Sequence, residues 1–195
     1  MTNQVILITG TPRVGKTSVA QKLAKELKAE YVNLTELALK EKLTLGRDEQ
    51  RDTMIIDEER MKKRLSEIIS KSKAEKIIID SHYAVNVVPQ QTISIVFVLR
   101  RDPVELRKIM EQSGFSEAKA FENLASEILD VCLVDALNIA GERKVCEIDT
   151  TGKTVEDTVQ EMLSLLKTPT NCQVGIVDWL GKLEKDGVLD DYLKT

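Results

Sequence analysis

The chain has little of what several chemistries require. Its single histidine, His82, excludes a His-rich zinc centre and would have to serve in any Ser-His-Asp arrangement, for which no GxSxG segment supplies a nucleophile. Three cysteines, Cys132, Cys146 and Cys172, odd in number and without a CxxC pair, do not make a disulfide framework, and this predicts a reducing compartment. No apolar run approaches the ~18 residues that cross a bilayer, and the N-terminus shows neither a positive region nor a small-residue cleavage site. A soluble, cytoplasmic protein without a membrane partner is expected. Lys and Arg number 28 against 32 Asp and Glu, a net charge of −4. No broad basic surface is therefore available to grip nucleic acid non-specifically.

What is present suffices for one core: 195 residues, 42% hydrophobic and 31% charged. Apolar runs of strand length alternate with longer amphipathic stretches, the pattern of βα units around a mainly parallel sheet. Strands are expected at Val5 to Thr9, Lys76 to Asp80 and Ile93 to Leu99, each too continuous in β-branched residues to keep a solvent-facing side. A fourth is expected at Lys144 to Asp149 and a short edge strand at Tyr31 to Asn33. Helices are predicted at about Lys16 to Lys28, Thr35 to Lys42, Glu58 to Lys71, Val104 to Gln112 and Thr154 to Leu166. The longest runs from about Ser116 to Ala140, its apolar stripe including Cys132; Cys146, inside a strand pattern, is also read as core. After Thr168-Pro-Thr-Asn171 a tail follows in which Ile176, Trp179, Leu180 and Leu183 recur at helical spacing, predicting a short helix that packs back on the domain or offers a face to a partner.

The strongest signal is Gly10-Thr-Pro-Arg-Val-Gly-Lys-Thr17, which satisfies GxxxxGK[ST] between a buried strand and an amphipathic helix. In that context the loop N–H groups and the helix N-terminus form an anion cradle. Lys16 supplies charge to the β- and γ-phosphates, and the Thr17 hydroxyl oxygen is a ligand for Mg²⁺. Gly10, Arg13, Gly15, Lys16, Thr17 and Ser18 are accordingly assigned to ATP. The partner carboxylate is expected at the end of a buried strand beside the loop, and Asp80 ends Ile77-Ile-Ile79, with His82 two residues on. Asp80 is assigned with Thr17 to Mg²⁺, and Lys16, Asp80 and His82 to catalysis. No NKxD segment reads guanine, and the DxxG at Asp149 to Gly152 comes too late in the chain for a GTPase switch; it reads as a turn that passes the nucleotide base.

With ITGTPRVGKTSVA at the start, IIDEER at 55–60, IIIDSH at 77–82, VFVLR at 96–100 and ENLASEI at 122–128, the sequence resembles the archaeal and eukaryotic adenylate kinase-like ATPases that assist small ribosomal subunit maturation, relatives of human coilin-interacting nuclear ATPase protein. The resemblance spans residues 3 to about 166. It implies a P-loop NTPase of adenylate-kinase-like, three-layer α/β/α fold with a five-stranded mainly parallel sheet over 1–167, and a helical extension over 168–195. A nucleoside-monophosphate segment would lie at about 33–56, with Asn33, Lys40, Arg47 and Asp57 as candidate contacts, and a short lid at about 112–122. ATP, AMP and Mg²⁺ are the implied ligands, ATP + AMP conversion to ADP and ATP hydrolysis the implied activities, and a protein of the small-subunit platform the implied partner. In that family Asp-x-His divides between Mg²⁺ binding and support of hydrolysis.

Three departures stand out. Arg13 occupies a loop position where the family usually has glycine, and Ser113 replaces the lid arginine, while Ala38-Leu-Lys40 lacks an expected substrate-binding arginine. Missing cations predict slow transfer to AMP, with hydrolysis or nucleotide-gated binding as the main activity, because phosphoryl transfer relies on cationic stabilisation. Arg13, Arg100, Arg101 and Arg107 are candidate replacements, and Arg100 and Ser113 are placed with the ATP phosphates. Arg101 and Arg107 also read as an exposed helix start. A small-metabolite kinase on the same core is the third reading.

Overall fold

A computed structural model describes residues 3–49 and 53–193. Gln4–Thr9 forms β1, whose Val5, Ile6, Leu7 and Ile8 have no more than 1% of their surface exposed, so both faces of this strand are covered. Each such side chain contributes roughly 1.5–3 kcal/mol of hydrophobic stabilisation. The chain then turns through the glycine-rich loop into α1, Lys16–Leu27, which lays Val19, Ala20, Leu23 and Ala24 on the sheet. It continues through β2 (Glu30–Asn33), α2 (Leu34–Glu41), an antiparallel hairpin of β3 (Thr44–Asp48) and β4 (Thr53–Ile56), and α3 (Glu58–Lys71). Next come β5 (Lys76–Asp80), the single turn α4 (Ala84–Val87), β6 (Ile93–Arg100), α5 (Pro103–Gln112), α6 (Glu117–Ile128) and α7 (Val131–Ala140). The chain ends through β7 (Val145–Asp149), α8 (Val155–Lys167) and α9 (Trp179–Lys185).

The main sheet has the order β2-β5-β1-β6-β7, and every adjacent pair is parallel, with Ile8 opposite Asp80 and Phe97. Two apolar clusters cover its faces, one gathered around α1, α5, α6 and α8, the other around α3, α4 and α7. The result is the expected three-layer P-loop architecture. In open sheets of this kind ligands gather at the carboxyl ends of the strands, where Gly10, Asp80 and Asp149 all lie.

Three expectations need correction. The helix expected over 116–140 is two helices, because Asp130 adopts a left-handed backbone (φ 58°) and its carboxylate accepts a hydrogen bond from Arg100 at 2.5 Å. Aspartate is one of the few side chains that tolerate this conformation. Residues 44–56, expected only as part of the monophosphate segment, hold the β3–β4 hairpin. Finally, Cys146 and Cys172 form a disulfide, with Cα atoms 4.8 Å apart, while Cys132 stays a free thiol. The tail runs along the edge of β7: the Glu147 N–H donates to the Gln173 carbonyl and the Ile176 N–H donates to the Glu147 carboxylate. That path covers the exposed edge of the sheet and carries Cys172 to Cys146. Spacing along the chain could not show it. Trp179 is buried, 7% exposed, so the tail helix does pack back on the domain.

Candidate active site

The loop between β1 and α1 adopts left-handed or otherwise glycine-favouring backbone at Gly10 (φ 135°), Arg13 (φ 75°) and Gly15 (φ 103°). A Cβ on Gly10 would lie 2.3 Å from the Leu99 carbonyl oxygen, so only glycine fits there. Arg13 has that backbone without being glycine, at a cost of about 1–2 kcal/mol. Gly15 caps α1 with no side-chain hydrogen bond and no acidic residue in the first turn, which leaves the helix's N-terminal N–H groups open to an anion.

Lys16 Nζ donates to the Thr11 carbonyl at 2.9 Å, folding its side chain back over the loop. Burial lowers its pKa, opposed by nearby anionic groups that include Asp80 and Glu127. Thr17 Oγ1 donates to Asp80 Oδ2 at 2.9 Å, so the two expected Mg²⁺ ligands meet across the sheet. Asn33 Nδ2 and the Tyr31 hydroxyl donate to the same oxygen, each at 3.0 Å. Burial, with Asp80 adding to it, pushes the Tyr31 phenol up to about 12, keeping it a proton donor at neutral pH. Tyr31 was not singled out by sequence, although the strand-end rule that selects Asp80 applies equally to the end of β2.

These residues fit a magnesium nucleotide. Among the described residues no group of three or more His, Cys, Asp or Glu gathers. One hydroxyl and one carboxylate beside an anion cradle is the donor set of an ion that completes its shell with water and phosphate oxygens.

His82 lies just beyond β5, its carbonyl accepting from Thr9 Oγ1 at 3.1 Å. Dehydration against the loop and, second, the Lys16 ammonium lower its pKa to about 4. The residue keeps a solvent-facing side, and its imidazole is neutral at pH 7. With Thr11, Pro12, Glu58, Tyr83 and Cys132 it lines a cleft of about 240 Å³.

The remaining expected residues divide. Ser18 is exposed in the first turn of α1 beside Thr17. Asn33 and Asp57 cap α2 and α3, accepting from the Glu36 and Arg60 N–H groups, while Lys40 and Arg47 are exposed on α2 and β3. Ser113 caps the end of α5, its hydroxyl donating to the Ile109 carbonyl at 2.6 Å. Arg100, expected at the phosphates, is 1% exposed, and its guanidinium is occupied by Glu127, Asp130 and Glu147 at 2.5–2.9 Å. It is a structural cation beneath the site rather than a phosphate ligand. Arg101 is largely buried and donates to the Thr150 carbonyl, whereas Arg107 is exposed and paired with Glu111. Arg13 is exposed and lies over the Phe115 ring at 5.2 Å, so a loop cation touches the short α5–α6 turn expected as the lid. Beyond that turn, Phe115, Arg107, Phe121 and Asp191 line a hollow of about 670 Å³.

Comparison with known proteins agrees with this geometry. The AAA domain family matches residues 6–130. A protein called "Putative adenylate kinase" from Pyrococcus furiosus is 37% identical over 176 residues, covering 90% of this chain and 91% of that one; its namesake from Methanocaldococcus jannaschii is 38% identical over 177, covering 91% and 93%. The chain belongs to this adenylate kinase-like family. It is an enzyme of the nucleoside monophosphate kinase type. Solved structures of a thymidylate kinase from Candida albicans (TM-score 0.55, 16% identity, 87% of this chain and 93% of that one) and a shikimate kinase from Bacteroides thetaiotaomicron (TM-score 0.54, 17%, 84% and 98%) share its fold.

Proposed function

We propose that the protein transfers the γ-phosphoryl group of ATP to AMP and, when no acceptor is bound, hydrolyses ATP. The observation that carries this is the meeting of Thr17 and Asp80 at 2.9 Å beside Lys16, on a loop that leads into a helix N-terminus left open to an anion. Lys16 leaves the Thr11 carbonyl to pair with the β- and γ-phosphates, and the open N–H groups of the first turn of α1 hold the phosphate oxygens. Thr17 and Asp80 would hold magnesium, which would supply positive charge against the phosphates. Tyr31 and Asn33 keep the Asp80 carboxylate aimed at the loop. His82, neutral at pH 7, can accept a hydrogen bond from an attacking water. Arg13, reaching from loop to lid, is the cation placed to meet charge developing on the transferred group.

AMP as acceptor is supported by the relatives' names, and the β2–α2 junction places Asn33 between the Asp80 site and the 33–56 segment. We further propose that the enzyme is cytoplasmic and assists small ribosomal subunit maturation by binding a basic platform protein, a reading supported by the family resemblance and by the net charge of −4. A disulfide in that compartment has precedent in hyperthermophilic archaea. Following ATP with and without AMP decides the activity. Two ADP per ATP with AMP present supports transfer; phosphate release indifferent to AMP overturns it in favour of an ATPase.

A further inference from the structure

A buried polar chain connects the C-terminal tail to the phosphate loop. Trp179 Nε1, on α9, donates to Glu127 Oε1 at 3.1 Å, and Thr11 Oγ1, the second residue of the loop, donates to Glu127 Oε2 at 2.5 Å. Thr11 is 1% exposed and Glu127 2%. The Arg101 N–H and Arg100 Nε also donate to Glu127 Oε1, at 3.1 and 2.9 Å. The Thr11 carbonyl in turn receives Lys16 Nζ. Two further ties fasten the tail, one from the Ile176 N–H to Glu147, itself paired with Arg100, and one from Lys182 to Asp102, the N-cap of α5.

We propose that Glu127 and Trp179 are positioning residues for the phosphate loop, and that the segment from Cys172 to Leu193 thereby sets the affinity of the nucleotide site. A carboxylate held by four donors from three elements cannot turn without losing charge-assisted bonds in a dry environment, so it fixes Thr11 on both its hydroxyl and, through the backbone, its carbonyl side. The Thr11 carbonyl is the oxygen Lys16 must release to reach a phosphate. Displacements well under 1 Å in such a loop alter phosphate contacts severalfold, because the contacts are short and directional. Removing the indole N–H frees one side of Glu127 and lets the loop drift. Arg100 keeps the carboxylate paired, so folding is not at stake.

The inference rests on ATP being held by this loop and not on the acceptor, so the readout is ATP binding with Mg²⁺, measured calorimetrically. Trp179→Phe keeps a six-membered aromatic ring and loses the donor with the pyrrole ring; we expect Kd for ATP to rise about 3- to 10-fold with the melting midpoint lowered by only a few degrees. Thr11→Val removes the next link and should weaken binding by at least as much. If the two lie on one chain, the double variant binds no worse than about twofold below Thr11→Val alone. An unchanged Kd in Trp179→Phe, or losses that multiply in the double variant, overturns the proposal. Should Trp179→Phe fail to fold, the natural protein decides, since Trp179 is its only tryptophan. A change in emission that saturates with ATP supports the coupling, and a flat titration overturns it. Lys16→Ala is the separate control: if that variant binds ATP normally, the assignment of the loop has failed rather than the role of the tail.

Discussion

The two halves of the site are built differently. On the donor side, the loop from Gly10 to Thr17 is enclosed by fully buried strands and held through Thr11, Thr17 and Lys16 to side chains and carbonyls of the core. On the acceptor side, α2 and the β3–β4 hairpin carry their apolar residues outward, Leu39 at 57% exposure, Leu45 at 70% and Ile55 at 47%. This segment is anchored by Leu34, Ala38 and Leu43, by the Asp57 N–H donating to the Leu43 carbonyl, and by the Arg64–Glu41 ion pair. Few buried contacts per residue mean low local stability. The proposed transfer to AMP would benefit from that division: the charge-stabilising donors are preorganised, and the segment proposed to take the second nucleotide is the more loosely packed one.

The largest expected effect tests the donor half. Lys16→Ala should reduce ATP turnover by about 10³-fold, about 4 kcal/mol of transition-state stabilisation, while leaving the melting midpoint within a few degrees. Initial rates of ADP formation measure it. If instead stability collapses and turnover of the folded fraction is retained, Lys16 is a structural residue and the preorganised half has been misread. Next in size is Cys172→Ser. Cross-linking residues 26 apart removes chain entropy from the unfolded state worth about 3 kcal/mol, so the variant should lose about that much by denaturant unfolding. The disulfide ties the tail to β7, at the edge of the main sheet opposite β2, so amide exchange of β3 and β4 should be unaltered.

His82 stands between the halves, and because it is the only histidine its ring signals in NMR are unambiguous. Its folded pKa is lowered from 6.5 to about 4 by dehydration and by Lys16. The unfolded chain therefore binds the extra proton first as pH falls below about 6.5. Stability is complete above that value and declines towards pH 4, the sign expected for an imidazole that the fold holds neutral. A titration midpoint well below 6.5 is expected, moving upward in Lys16→Ala. A midpoint at 6.5 in both proteins would mean that His82 faces open water and does not sense the loop.

How much of this was legible in the sequence follows the same division. The strands of the donor half announce themselves as unbroken β-branched runs, and GxxxxGK[ST] between strand and helix specifies loop, cradle and Mg²⁺ hydroxyl together. Asp80 follows from the strand-end rule. Arg100 obeys that rule in position and departs from it in direction: successive strand residues point to opposite faces, and Arg100 turns inward to Glu127 and Glu147. That outcome depends on two carboxylates 27 and 47 residues away. The break at Asp130 and the Cys146–Cys172 bond are long-range in the same sense. The hairpin at 44–56 was invisible because its apolar residues face outward and alternate weakly around Gly46, where the register shifts.

The smallest effect concerns the lid, where the two halves meet. Ser113 carries no charge and its hydroxyl is engaged with Ile109, which by itself predicts slow transfer and a gain from Ser113→Arg. The structure adds that Arg13 lies 5.2 Å from the centre of the Phe115 ring and that Lys119 lies 5.5 Å from the same ring, so two cations flank the turn that Ser113 begins. A third cation there meets charge already partly neutralised and is screened by solvent at an exposed helix end, where such interactions contribute less than about 1 kcal/mol. Ser113→Arg should therefore raise the ATP + AMP rate by no more than about threefold. In an Arg13→Gly background the same substitution should restore most of the rate lost, because glycine accepts the left-handed backbone at that position without strain, so the loop keeps its path while the guanidinium and its ring contact are lost. Paired rates in the four proteins decide between the two readings. A large gain from Ser113→Arg alone would show that Arg13 holds the lid through its ring contact and contributes little to the transferred phosphoryl group.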